Sequence, residues 1–218
     1  MKKYRSLLLI VLIISFGMNI YLSYKRDKDE YRIGEKSYKN AELINTRNSK
    51  NLEILKNAID SGSIPNSKLL NLYSNYKTID EALIELINDY SFYRQNIIFN
   101  FNKKDVNGLK VLENDIYARI STYLENILLN IMNTKKDKLV LEGKSLEDFK
   151  VLYELALNTN KSYVDFTNNY LKDLQSEEKL KKFIDKRYYI NVIDNINTIN
   201  SEYNDYDFVS EIKVQKLN

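Results

Sequence analysis

Two arginines and one acidic ridge are the residues whose types and spacing bear on chemistry. Arg94 lies between Tyr90 and Ile97, and Arg119 neighbours Ile116 and Ile120, so each flanks an apolar helical stripe. Two guanidinium forks held together would grip an anionic ligand. The competing reading is that their stems cover the edge of a core while their heads reach water or a neighbouring acid. Glu81, Glu85 and Asp89 recur at four-residue steps on one ridge. That spacing suits a solvated helix face, or one side of an oxygen-only cation site.

The residue types that are missing restrict the chemistry further. The 218 residues include no His, Cys or Trp, one Pro and five scattered Gly. Without His and Cys there is no Ser-His-Asp or Cys-His nucleophile and no imidazole or thiolate metal site. Disulfides and Fe–S clusters are excluded as well. Five dispersed glycines build no phosphate-cradling loop. No catalytic residue, metal ligand or cofactor is therefore assigned, and the expectation is a protein that is not an enzyme. An enzyme limited to Asp, Glu, Lys, Tyr or Ser would need, for glycoside hydrolysis, two carboxylates about 5–9 Å apart across a cleft.

The elements that must position these residues begin with a greasy segment. Ser6 to Tyr24 holds no charged residue. As a helix these residues reach about 28 Å, close to a hydrocarbon core of roughly 30 Å. Lys2, Lys3 and Arg5 flank one end and Lys25, Arg26 and Lys28 the other, with Tyr4, Tyr21 and Tyr24 at interfacial positions. The expectation is an uncleaved anchor in the lipid bilayer through residues 6–24. A cleavable signal peptide (Ser15 and Gly17 have the spacing) and a buried core helix are the alternatives. The basic N-terminal cluster orients the N-terminus to the cytoplasm and the domain outside, although the second flank is equally basic.

Residues 1–32 hold seven basic and three acidic side chains, which leaves 26 basic and 27 acidic in the rest. The net charge of +3 belongs to the membrane flanks. A nucleic-acid binder concentrates basic charge on its folded domain, so no nucleic-acid partner is expected. The many Lys, Asn, Ile and Tyr follow AT-rich codon usage. The 18 Tyr are accordingly read as core or boundary residues before they are read as a binding surface.

Behind the anchor, apolar residues recur at three- and four-residue steps. The fold class expected is all-α: one N-terminal transmembrane helix, then an antiparallel bundle of four to five long helices. Residues 1–32 form the anchor and its flanks, 33–203 the bundle and 204–218 a peripheral tail that Phe208, Ile212 and Val214 could dock. Gly34, Gly62, Pro65, Gly108 and Gly143 mark the joints. Capping boxes at Thr78–Glu81 and Ser145–Asp148 start two helices. The polar run 45–51 reads as a solvated stalk or a poorly packed turn. Leu139 to Leu141 reads as a short strand or loop anchor, and one helix runs from Glu177 to about Tyr203.

The function expected is that of a membrane-anchored scaffold, assembly component or adaptor at a bacterial envelope, acting through a protein partner or self-association. The alternative is an extracytoplasmic sensory or ligand-binding bundle, with Arg94 and Arg119 as its anion grip.

Overall fold

The computed structural model describes residues 2–95 and 115–208. Helix α1 spans Lys2–Ser61, strand β1 Ser63–Pro65 and helix α2 Asn66–Gln95. Helix α3 spans Ile116–Asn133 and strand β2 Lys138–Val140. Helices α4 (Gly143–Tyr170), α5 (Ser176–Asp185) and α6 (Tyr188–Asn200) complete the described chain. The all-α class holds, with one three-residue ribbon as its only described sheet. Gly108, Ile212 and Val214 lie outside the described residues.

Helix α1 corrects the expected joint at Gly34. Its 60 residues run unbroken from the apolar segment into the folded core, about 90 Å at 1.5 Å per residue. The window that is long and apolar enough to cross a membrane has a mean hydropathy of 1.7, and none of it is buried. Hence nothing described in this chain covers it, and the core-helix alternative does not hold. Gly34 is buried inside the helix, and a Cβ built on it would meet Ile184 of α5 at 2.8 Å. It is a site of close approach, not a turn.

Helix α1 ends where Gly62 takes φ +65, the left-handed conformation that glycine adopts freely past a helix C-terminus. The chain then forms β1, antiparallel to β2, with Ser63 opposite Val140 and Pro65 opposite Lys138. Of the two readings of residues 139–141, the strand is therefore the one adopted. Asn66 closes the ribbon by donating its backbone N–H to Asp137 and its side-chain amide to the carbonyl of Lys136.

Side-chain bonds set the direction of the next helix. Asn75 donates to Asn51 at 2.9 Å, Asn40 to Glu85 at 2.9 Å, and Ser37 to Asp89 at 3.3 Å. Numbers fall on α1 as they rise on α2, so the two run antiparallel. The same logic pairs α1 with α4: Asn48 donates to the Ala156 carbonyl at 2.7 Å, and the Tyr163 hydroxyl donates to Glu42 at 2.7 Å. The run 45–51 is thus no solvated stalk, since Asn48 and Asn51 are buried between helices. Replacing Asn75 by Ala leaves Asn51 and Arg47 without their shared partner. We expect a loss of about 1–3 kcal/mol in urea denaturation of the detergent-solubilised chain.

Helix α2 is one helix, not two. Thr78 caps nothing; its hydroxyl bonds back to the Ser74 carbonyl at 2.9 Å inside the helix. The box at α4 is also displaced, formed by Glu142 and Ser145 and not by Ser145 and Asp148. The expected helix from Glu177 is broken at Arg187, whose φ of +53 turns the chain between α5 and α6. Tyr76 and Tyr117 stack at 6.2 Å in the middle of the core. A second aromatic group, with Tyr38, Phe166, Phe183 and Tyr188, fills the end nearer the apolar segment.

Candidate functional site

The residue that organises the most polar chemistry is Asp148, in the second turn of α4. Lys144, Asp148, Leu152, Leu155 and Thr159 follow three- and four-residue steps, so the carboxylate sits at a core position of the helix. It is buried among hydrogen-bond donors. Tyr123 of α3 donates its hydroxyl at 2.8 Å and Tyr206 donates at 2.7 Å. Lys144 stands 3.2 Å away, donates to the Tyr206 hydroxyl at 2.9 Å, and lies 4.4 Å from the centre of that ring.

Arg119 completes the arrangement from α3. Its Nε donates to Asp115 at 3.0 Å and its terminal nitrogen donates to the Tyr206 carbonyl at 3.1 Å. Phe208 is buried against Tyr123 and Tyr206, at ring distances of 5.8 and 4.7 Å. Six side chains therefore strap residues 206–208 across α3 and the start of α4. Phe208, read from the sequence as able to dock the tail, is buried here. Asp148 already accepts from two hydroxyls and faces an ammonium group, so its carboxylate is satisfied within the chain.

The two arginines read from the sequence are not brought together by anything described. Arg119 turns to Asp115 and to the strap. Arg94 is carried by the last turn of α2, and its side chain lies outside the described residues. The acidic ridge is met by α1: Lys36 lies 3.4 Å from Glu85 and 3.7 Å from Asp89. The hydrogen bond from Asn40 holds the Glu85 carboxyl below its usual range, whereas burial raises that of Asp89. Among the described residues no group of three acids could hold a metal ion.

Burial pushes the hydroxyls of Tyr117 and Tyr206 up to about 12. Burial, followed by the neighbouring Asp148 carboxylate, raises Tyr123, and burial with the Glu42 contact raises Tyr163. A phenol whose pKa is higher in the folded chain keeps its proton after the unfolded chain has lost its own. Its stabilisation is intact below the ordinary value of 10.0 and drains as pH rises toward 12. We expect a constant urea midpoint from neutral pH to about 9, then a steady fall between about 10 and 12. Tyrosinate absorbance should rise together with the loss of helical circular dichroism, and an unchanged midpoint at the alkaline end would contradict the assignment.

Two concavities lie elsewhere. A cavity of about 20 Å³ opens between α1, α4 and α6, and a groove of about 450 Å³ runs between α4 and α6. Neither is lined by Arg119. At the ribbon end, Leu70, Leu129, Met132 and Val140 are each more than half exposed. The chain matches no protein family, no curated protein and no solved structure.

Asp148 was not legible as an organising residue. A carboxylate three residues after Ser145 resembles a cap, and only its place on the apolar stripe distinguishes it. The register of Asp148 with Leu152 and Leu155 was the available clue.

Proposed function

We propose that this chain is a single-pass protein of a bacterial cell envelope, N-terminus inside, that holds an antiparallel bundle of four to five helices outside and acts by protein contact. The observation that carries the reading is the continuity of α1. One helix runs from the candidate span through the domain without a hinge. From Tyr24 to Ser61 the same helix climbs about 55 Å. The domain is thereby a post and not a tethered bead, and the ribbon end is its far tip.

That tip supports contact as the mode of action. Leu70, Leu129, Met132 and Val140 lie on the elements that meet at the ribbon, and Met132 is 70% exposed. Large apolar side chains gathered at one end of a domain favour docking. The absence of His and Cys from the whole chain supports contact over catalysis. The anion-sensing alternative has less support, because Arg119 already holds Asp115 and the strap.

A photo-crosslinking residue placed at Met132, at Val140 and at the exposed Lys50 in the full chain tests this in intact host cells. We expect a discrete adduct from the two tip positions and none from Lys50. An adduct of twice the 25.8 kDa chain would identify self-association. Protease shaving of intact cells should degrade the domain. Equal labelling at all three positions, or a domain protected from protease, would overturn the reading.

A further inference from the structure

Helix α5 is a basic element that the fold brings down to the foot of the domain. Residues 179–187 hold Lys179, Lys181, Lys182, Lys186 and Arg187 against one acid, Asp185. The other two acids of α5, Glu177 and Glu178, lie in its first turn, where Glu178 closes a capping box with Gln175. Phe183 and Ile184 are buried, whereas Lys181, Asp185 and Lys186 are exposed. The apolar side of the helix is thus turned to the core and its lysines are left outside it.

Contacts with α1 fix the level of these lysines. Phe183 packs on Tyr38, Ile184 lies against Gly34, and Arg187 bonds Glu30. Each step descends α1 toward the apolar segment. Glu30 is six residues past Tyr24, about 9 Å along the helix. The headgroup layer outside the hydrocarbon core is about 5–8 Å deep. Lys186, next to Arg187, therefore stands at the outer edge of that layer. Lys182, one turn earlier, lies within about one Debye length of it, roughly 8–10 Å.

Charge at this level is unbalanced. The three acids of the α1 flank are each matched: Asp27 lies 3.9 Å from Arg26, Asp29 lies 3.5 Å from Arg32, and Glu30 is held by Arg187. Lys25, Lys28, Lys181, Lys182 and Lys186 have no acid within 4 Å among the described residues. Basic side chains from two segments far apart in sequence are thereby gathered where lipid phosphates lie. A lysine near an anionic lipid surface strengthens binding to it about fivefold.

We propose that the basic face of α5, together with Lys25 and Lys28, binds the anionic phosphate headgroups of the bilayer that α1 crosses. The site exists only if residues 6–24 lie in that bilayer, as proposed above, and it is separate from the tip.

The chain has no Cys, so Asp185→Cys carries a single fluorophore beside the lysines without removing one. The labelled full chain is reconstituted in mixed bilayers of phosphatidylcholine and phosphatidylglycerol. A trace of either lipid, bearing a nitroxide at the top of its acyl chain, serves as quencher. The relative association constant should favour phosphatidylglycerol at least about fivefold. It should fall toward one in 1 M salt, where the Debye length is about 3 Å. It should fall likewise when Lys181→Gln, Lys182→Gln and Lys186→Gln are combined, at unchanged helical content. Lys50→Gln should leave it unchanged. Equal quenching by the two lipids overturns the proposal and leaves the anchor standing. Quenching by neither places α5 away from the bilayer and overturns the anchor reading with it. A preference that survives the triple variant belongs to the α1 flank and overturns the role of α5.

Discussion

Asp148→Ala is expected to remove about 3–5 kcal/mol of stability, a large share of the 5–15 kcal/mol typical of a domain. The size follows from what is left behind. Tyr123 and Tyr206 lose the acceptor of their hydroxyls, and Lys144 loses a carboxylate 3.2 Å away. Tyr123 is 4% exposed, so its hydroxyl would be left buried without an acceptor. Phe208 covers the cluster and loses its seat when Tyr206 is released, so an apolar ring is uncovered as well.

Two further variants separate the carboxylate from general packing loss. Asp148→Asn keeps one acceptor oxygen and should fall between wild type and Ala. Tyr206→Phe keeps the ring against Lys144 and Phe208 and removes one hydrogen bond, for about 1–2 kcal/mol. Because the two side chains touch, their double variant with Asp148→Ala should cost less than the sum of the singles. Hydrogen exchange should show amides of residues 201–208 opening first, while the ribbon at Ser63–Pro65 keeps its protection. A loss below about 1 kcal/mol for Asp148→Ala would mean that the strap is held by Phe208 and Arg119 alone.

How much of this was readable follows from the range of the interactions. The stripes were readable because each is written in one helix. Ile79, Leu83, Leu86 and Tyr90 are buried on α2, as are Ile116, Ile120, Tyr123 and Ile127 on α3. The greasy segment was readable for the same reason. What was not readable depends on partners far along the chain. Thr78 and Glu81 have the pattern of a box, yet α2 continues because Tyr76, Ile79 and Leu83 are all buried in one core, and tertiary burial outweighs a local cap. Asn48 and Asn51 read as solvated because nothing nearby offers them a partner. Their partners are the Ala156 carbonyl, 108 residues away, and Asn75. Of the candidate site, Arg119 was legible as a core-edge residue, while its hold on the Tyr206 carbonyl, 87 residues on, was not.

Gly34 carries the other large prediction. A glycine inside a helix normally costs about 1 kcal/mol relative to alanine, so Gly→Ala at an open position should be neutral or helpful. Gly17 is such a position, with nothing within 4 Å of a built Cβ. At Gly34 the same atom would lie 2.8 and 2.9 Å from the two γ carbons of Ile184 and 3.2 Å from its Cβ. Those atoms are fixed close to the backbone of α5 and a β-branched side chain cannot swing them away, so the helix itself must retreat. The retreat would pull on two neighbouring clips. Arg187 bonds Glu30 through its Nε at 2.7 Å, and Phe183 packs edge-on to Tyr38 at 5.2 Å. Positions 30, 34 and 38 lie on one ridge of α1, immediately past the candidate span, so α5 and the turn that follows it are held at three successive turns. Gly34→Ala should therefore destabilise by about 1–3 kcal/mol despite its gain in helix propensity, and Gly34→Leu by more. Gly17→Ala should stay within about 0.5 kcal/mol of wild type. Ile184→Ala clears the space, so the double variant Gly34→Ala with Ile184→Ala should recover at least about 1 kcal/mol relative to the sum of the singles. Urea denaturation of wild type and these five variants measures this directly. Equal effects at Gly17 and Gly34, or strict additivity with Ile184→Ala, would show that α5 does not rest on Gly34.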